Sequence, residues 1–116
     1  MIISTALKED IGELTDLWQT CFGDDDDYIG AFMRSRFVPE RTLIGREDGE
    51  ICSALYLLDG KVRIAGEAFD AAYLYAACTH PDFRSHGYMS ELLRSAEALC
   101  RDSGLDYICL VPAEDS

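Results

Sequence analysis

Hydrophobic positions in this 116-residue chain recur with two different periods, and the switches between periods mark its elements. Met1-Ile2-Ile3-Ser4-Thr5 opens as a strand. Lys8 to Phe22 follows with helical spacing, placing Ile11, Leu14, Leu17, Trp18, Cys21 and Phe22 on one side and acidic residues in the first turn. Gly23 and the run Asp24-Asp25-Asp26-Asp27 break the helix. Calcium loops alternate ligands with spacers and need a glycine at a fixed offset, which this run lacks. It reads instead as N-cap and dipole complement for a second helix, Tyr28 to Phe37, burying Ile29, Phe32, Met33 and Phe37.

From Arg41 the period shortens to two. Thr42 to Arg46 and Glu50 to Leu58 read as strands joined by the turn Glu47-Asp48-Gly49. Asp59-Gly60 reads as a further turn and Lys61 to Ile64 as a weak strand or loop edge. Ala71 to Cys78 is an apolar strand. A third helix pattern, strongly amphipathic, starts near Tyr88, with Met89, Leu92, Leu93, Ala96, Leu99 and Cys100 in one stripe. Gly104 stops it, and Leu105 to Val111 reads as the next strand. Strand, helix and strand at this length predict a right-handed βαβ unit with a near-parallel strand pair. The order is β-α-α-β-β-β-α-β, an α/β chain with a mixed sheet.

The link between Ala71–Cys78 and the helix carries the chemistry. Thr79-His80-Pro81 closes the strand, and Arg84 and Gly87 stand before the helix. A helix N-terminus offers N–H groups without intrahelical partners and partial positive charge, so it favours an anion such as phosphate. Gly87 can adopt φ > 0 and admit a ligand close to the backbone. Arg84 can add a charge-assisted contact, or lie on the surface. The alternative is a plain strand-to-helix turn with a capping loop and no ligand.

Bulk properties narrow the partners. A length of 116 residues with 48% hydrophobic positions suits one domain, residues 1–116, with a real core. A net charge of −12 disfavours nucleic acid and an anionic membrane, and is compatible with a cationic or amine-bearing partner. Cys21, Cys52, Cys78, Cys100 and Cys109 show no C-x-x-C spacing and read as small buried hydrophobes of a reducing compartment. Cys78, beside the loop, is also a candidate thiol nucleophile. No apolar run approaches the ~20 residues that span a bilayer, and the first residues lack the apolar stretch of a signal peptide. The chain reads as soluble and cytoplasmic.

Arg84-Ser85-His86-Gly87-Tyr88-Met89 resembles the Arg/Gln-x-x-Gly-x-Gly/Ala signature of the GCN5-related N-acetyltransferases (GNAT), with Thr79-His80-Pro81 where that family has a V-x-P-like turn. Met89 departs from the pattern, which has a small residue there. The resemblance covers essentially the whole chain and implies an acyl-CoA N-acyltransferase-like fold whose acetyl-CoA-binding core is residues 71–111. It implies that N–H groups of Ser85, His86, Gly87, Tyr88 and Met89 cradle the diphosphate with Arg84. It also implies that the backbone of Ala77, Cys78 and Thr79 pairs with the pantetheine arm. Acetyl-CoA is then the co-substrate, a primary amine of a small molecule or protein the acceptor, and no metal is needed.

The family fold continues past this point with a helix and two strands that shape the acceptor pocket and often carry a proton-donating tyrosine. On that comparison the chain reads as C-terminally truncated, with a sheet edge that a second copy could cover. No residue stands for that tyrosine. Tyr73 and Tyr75, which share a face with Ala77 and Thr79 if no bulge intervenes, Glu67 and His80 are the nearest candidates for proton transfer. Each also has a structural role available, as sheet residues or a turn cap. A non-catalytic CoA-binding or dimerisation module is the alternative reading.

Overall fold

The computed structural model describes residues 1–104 and 107–110. Five strands form one sheet in the order β1 (Ile2–Thr5), β2 (Thr42–Glu47), β3 (Glu50–Ile64), β4 (Glu67–Thr79) and β5 (Tyr107–Leu110). Neighbours from β1 to β4 are antiparallel, while β5 runs parallel to β4, pairing Ala71–Leu74 with Tyr107–Leu110. The mixed α/β architecture and the element order read from the sequence are both present. Leu105, Asp106 and the tail from Val111 lie outside the described residues, as does the setting of the Cys109 side chain.

Helices α1 (Ile11–Phe22) and α2 (Asp26–Ser35) cover one face, and α3 (Tyr88–Asp102) covers the other. Because both faces are covered, the centre of β3 is buried without alternation and apolar except for Ser53. Cys52 to Leu57 are all buried, with Ala54 and Tyr56 turned to the α1/α2 side and Leu55 and Leu57 to α3. The stripe predicted for α3 is the buried one: Leu92, Ala96 and Cys100 pack on Leu43, Leu57, Ala72 and Leu74.

The helical starts differ slightly from the sequence reading. Lys8–Asp10 form a separate 3-10 turn before α1, because the Asp10 side chain accepts a hydrogen bond from Leu7 N (2.8 Å) and closes that turn. The acidic run is used residue by residue. Asp25 caps α2 by accepting from Tyr28 N (2.8 Å), Asp24 accepts from Trp18 Nε1 (2.8 Å), and Asp26 accepts from Gln19. The cap at Asp25 makes α2 begin at Asp26, earlier than the sequence pattern placed it.

One turn was misplaced. Asp59-Gly60 is not a turn but mid-strand, paired with Ala72 and Ala71, and Lys61–Ile64 continue β3. The hairpin closes at Ala65-Gly66, where φ is +53° and +86°. Gly60 is there because the Tyr73 ring lies over it: an added Cβ would sit 2.2 Å from Tyr73 Cε2. The ring is held there by its hydroxyl, which donates to Lys61 O (3.1 Å). Gly60→Ala should therefore displace Tyr73 and cost about 1–2 kcal/mol in chemical denaturation, despite the better strand propensity of alanine. A stabilised variant would show that Gly60 is not kept for this contact.

Candidate functional site: a cleft at the end of β4

β4 carries an irregularity just before its end. Its register against β3 shifts between Tyr75↔Tyr56 and Cys78↔Ala54, and Ala76 sits in the bulge with φ +51°. The bulge reverses the alternation of faces. Tyr75 and Cys78 both pack on the α1/α2 side, and Ala77 packs on the α3 side. Tyr73 and Tyr75 consequently do not share a face with Ala77 and Thr79, and the condition attached to that expectation fails. Beyond Leu74, β4 has no described strand partner on its β5 side. The backbone edge of residues 75–79 is open there, among the described residues.

That open edge faces the start of α3. His80 and Pro81 lead into a 3-10 turn, Pro81–Phe83, in which His80 Nδ1 accepts from Asp82 N (3.1 Å). His80 is thus a turn cap. Arg84 follows in extended conformation, and two left-handed residues, Ser85 (φ +69°) and Gly87 (φ +76°), bring the chain to the helix. Left-handed residues in a short loop are the ingredient of concave N–H arrangements that hold anions. Gly87 is the N-cap of α3 and supplies no side chain to its first N–H groups. Those groups remain available to a ligand.

Between strand edge and helix start lies a cleft of about 310 Å³. Of the nine positions expected from sequence, Ala77, Cys78, Thr79, Arg84, Ser85, Gly87, Tyr88 and Met89 line it. His86 does not; its ring stacks on Tyr88 with centroids 5.4 Å apart. Met89, the departure from the family pattern, packs part of its side chain against the α3 core and so leaves room in the cleft. The Tyr88 hydroxyl donates to Glu47 Oε2 (2.7 Å), tying the start of α3 to the end of β2. That bond, with the Glu47 charge, pushes the Tyr88 hydroxyl up to about 12.

Sequence reasoning missed Cys21, Phe22, Phe83 and Ser90 as lining residues. Cys21 and Phe22 belong to the last turn of α1, which only the tertiary fold carries to the end of β4. Phe83 and Ser90 were within reach of the loop pattern itself, flanking positions already chosen. Cys21 donates to Thr79 O (3.5 Å), which also accepts from Arg84 Nε (3.0 Å). The neighbouring Cys78 thiol first, and the Arg84 guanidinium alongside, lower the Cys21 thiol to about 7. Cys78 moves the other way, well above its usual range, through its Cys21 neighbour and its burial.

The remaining proton-transfer candidates fall away from the cleft or into structural roles. Glu67 opens β4, and 12 residue steps of ~3.3 Å place it roughly 40 Å from Thr79. Tyr73 serves the Gly60 contact. The Tyr75 hydroxyl bonds that of Tyr28; burial first, then this bond, raises it to about 12, so it stays protonated near neutral pH. Tyr28, Phe32, Arg36, Leu58 and Tyr75 line a second hollow of about 270 Å³ on the α1/α2 side. Among the described residues, no group of three or more His, Cys, Asp or Glu side chains is arranged to hold a metal ion. No described helix is long and apolar enough to cross a membrane.

The same fold recurs in proteins of known structure. The aminoglycoside 6'-N-acetyltransferase AAC(6')-IG of Acinetobacter haemolyticus superposes with a TM-score of 0.80 at 18% identity, covering 100% of this chain and 82% of that one. The ribosomal-protein-alanine N-acetyltransferase of Brucella melitensis biovar Abortus 2308 gives 0.78 at 17%, covering 98% and 82%. AAC(6')-Iy, solved with the bisubstrate analogue CoA-S-monomethyl-acetylneamine, gives 0.81 at 15%, covering 99% and 81%. At such identities the likeness speaks for the fold. No curated protein matches the chain by sequence. The sequence model of the family described as "Acetyltransferase (GNAT) domain" matches residues 3–116. With that match spanning nearly its whole length, the chain belongs to the GNAT acetyltransferases and is an enzyme of their type.

Proposed function

We propose that residues 1–116 form one acetyltransferase domain that transfers the acetyl group of acetyl-CoA to a primary amine. The observation that carries this reading is the backbone edge of residues 75–79, open among the described residues, beside the uncapped start of α3, with both walling one cleft of about 310 Å³. A pantetheine arm needs backbone N–H and C=O groups along an extended strand, and the edge at Ala77, Cys78 and Thr79 would offer them, with the Thr79 carbonyl already shared by Cys21 and Arg84. A diphosphate needs N–H donors and positive charge, and residues Ser85 to Met89 with Arg84 offer those. Acetyl-CoA, when bound, supplies an electrophilic thioester carbonyl and a thiolate leaving group. Backbone N–H groups on this edge would be the donors on hand to polarise a carbonyl laid along it.

The acceptor follows from charge and shape. With a net charge of −12 the protein attracts cationic amines and repels polyanions such as nucleic acid. The aromatic hollow of Tyr28, Phe32 and Tyr75 adjoins the bulge on the face that carries Cys78, and ring faces attract ammonium groups. Aminoglycosides, named for the enzyme from Acinetobacter haemolyticus and for a second from Acinetobacter baumannii, are polyamines and head the list of acceptors to try. The free thiols Cys21, Cys52, Cys78 and Cys100 fit a reducing, cytoplasmic setting.

The test is thermal unfolding with and without acetyl-CoA. Saturation at ~100 times the dissociation constant should add about 2.7 kcal/mol and raise the midpoint by roughly 10 °C. Release of CoA thiol should then appear when aminoglycosides, polyamines or amino acids are added. An unshifted midpoint in a cooperatively folding sample would remove the donor site and with it this function.

A further inference from the structure

Two thiols meet at the wall of the donor cleft, brought together from elements distant in sequence. Cys21 ends α1 and is half-buried with its sulfur toward the cleft; Cys78 lies on β4, buried, next to the bulge. Both line the same cleft, Cys21 packs against the core cluster that contains Cys78, and the Cys21 sulfur reaches O of Thr79, the residue next to Cys78, at 3.5 Å. Arg84 stands on the same carbonyl at 3.0 Å, so a guanidinium is beside Cys21. The other free thiols with described surroundings differ. Cys52 and Cys100 are buried, line no part of this cleft, and have no thiol partner among the described residues.

We propose that Cys21 and Cys78 form a redox-active dithiol, oxidised by small-molecule disulfides to an internal disulfide that closes the donor cleft. The roles follow from position. Cys21 is the attacking thiol because it is the less buried of the two, lines the cleft, and shares the Thr79 carbonyl with Arg84, whose charge favours its thiolate. Its thiolate is substantially formed near neutral pH, which is the best compromise between thiolate fraction and nucleophilicity. Cys78, shielded from solvent, is the resolving thiol. In the first step the Cys21 thiolate attacks a disulfide RS–SR, giving Cys21–S–SR and releasing RS⁻. Cys78 then loses its proton and attacks the Cys21 sulfur, forming the Cys21–Cys78 bond and releasing a second RS⁻. Two electrons pass from the protein to RS–SR, and two thiols leave.

The consequence for the site is geometric. Disulfide formation requires the sulfurs to close to about 2.05 Å and the two Cα atoms to stand within roughly 7 Å. The end of α1 is then clamped to β4 beside Ala77 and Thr79, and both bridged residues belong to the cleft wall. That second part rests on the donor-binding reading given above, whereas disulfide formation does not.

Incubation of the fully reduced protein with oxidised glutathione tests both. Intact mass should fall by about two units, for two hydrogens lost, and peptide mapping should join the Cys21 and Cys78 peptides. Cys78→Ser should stop at a stable glutathione adduct on Cys21, and Cys21→Ser should react far more slowly. Oxidised protein should lose the thermal shift given by acetyl-CoA, and dithiothreitol should restore it. A wild-type protein that ends unmodified, or keeps one glutathione on Cys21, overturns the dithiol. An oxidised protein that responds to acetyl-CoA like the reduced one overturns the closure. If reduced protein does not respond to acetyl-CoA, the donor reading fails while the mass result still decides the dithiol.

Discussion

Trp18→Ala should lower the stability of this chain by about 3–5 kcal/mol, the largest effect of any single truncation on the α1/α2 side. The side chain is 2% exposed and sits among the rings of Phe22, Tyr28, Phe32, Tyr56 and Tyr75, with centroids 5.0 to 6.4 Å away. Those rings come from α1, α2, β3 and β4, so Trp18 joins four elements at once. Its Nε1–H, on Asp24 Oδ2 at 2.8 Å, also fixes the acidic turn that starts α2. Collapse around the hole is restricted because Phe32 and Tyr75 are already stacked at 5.4 Å. Proteins of this size have only about 5–15 kcal/mol in total, so the variant should approach the threshold of folding. Urea unfolding checks it: the midpoint should fall steeply with an unchanged slope. Trp18→Phe, which keeps a buried ring and loses the Asp24 bond, should cost about 1–2 kcal/mol. A loss below about 1 kcal/mol for Trp18→Ala would mean that the rings are not the keystone of this layer.

The helices and the loop between β4 and α3 were legible in the sequence because their signals are local. A stripe such as Met89, Leu92, Ala96 and Cys100 has no other economical use, and Pro81, Arg84 and Gly87 lie within a few residues of the helix they serve. The long hairpin was harder to read because its decisive contact is not local. Gly60 looks like a turn until Tyr73, 13 positions on, is seen to cover it, and the true turn begins with an alanine in a left-handed conformation. The bulge at Ala76 has no residue signature at all; an alanine at φ +51° is paid for by the pairing on either side. Yet that bulge decides which side of β4 Tyr75 and Cys78 occupy. Cys21 illustrates the same limit. Its place on the apolar side of α1 was plain, but its meeting with Cys78 depends on how α1 crosses the sheet.

Gly87→Val should weaken acetyl-CoA binding by roughly 100-fold while the protein remains folded. Gly87 holds φ +76°, ψ 12° at the N-cap of α3, where any L side chain is strained, by about 1–2 kcal/mol and more for a β-branched one. The fold should survive that strain, because an added Cβ would meet no protein atom within 4 Å and α3 is anchored by Leu92, Ala96 and Cys100. The empty space that spares the fold borders the cleft lined by Gly87, Tyr88 and Met89. A branched side chain there stands where an anion must come to reach the first N–H groups of the helix, and 100-fold corresponds to about 2.7 kcal/mol of lost contact. Gly87→Asn separates the two causes. Asparagine tolerates the left-handed conformation, so its unfolding midpoint should stay near wild type while affinity falls because its side chain still fills the approach. Titration calorimetry reads affinity, and a parallel melt shows each variant folded. A folded Gly87→Val protein that binds acetyl-CoA as tightly as wild type would move the diphosphate away from the start of α3, and Arg84 would lose its role with it.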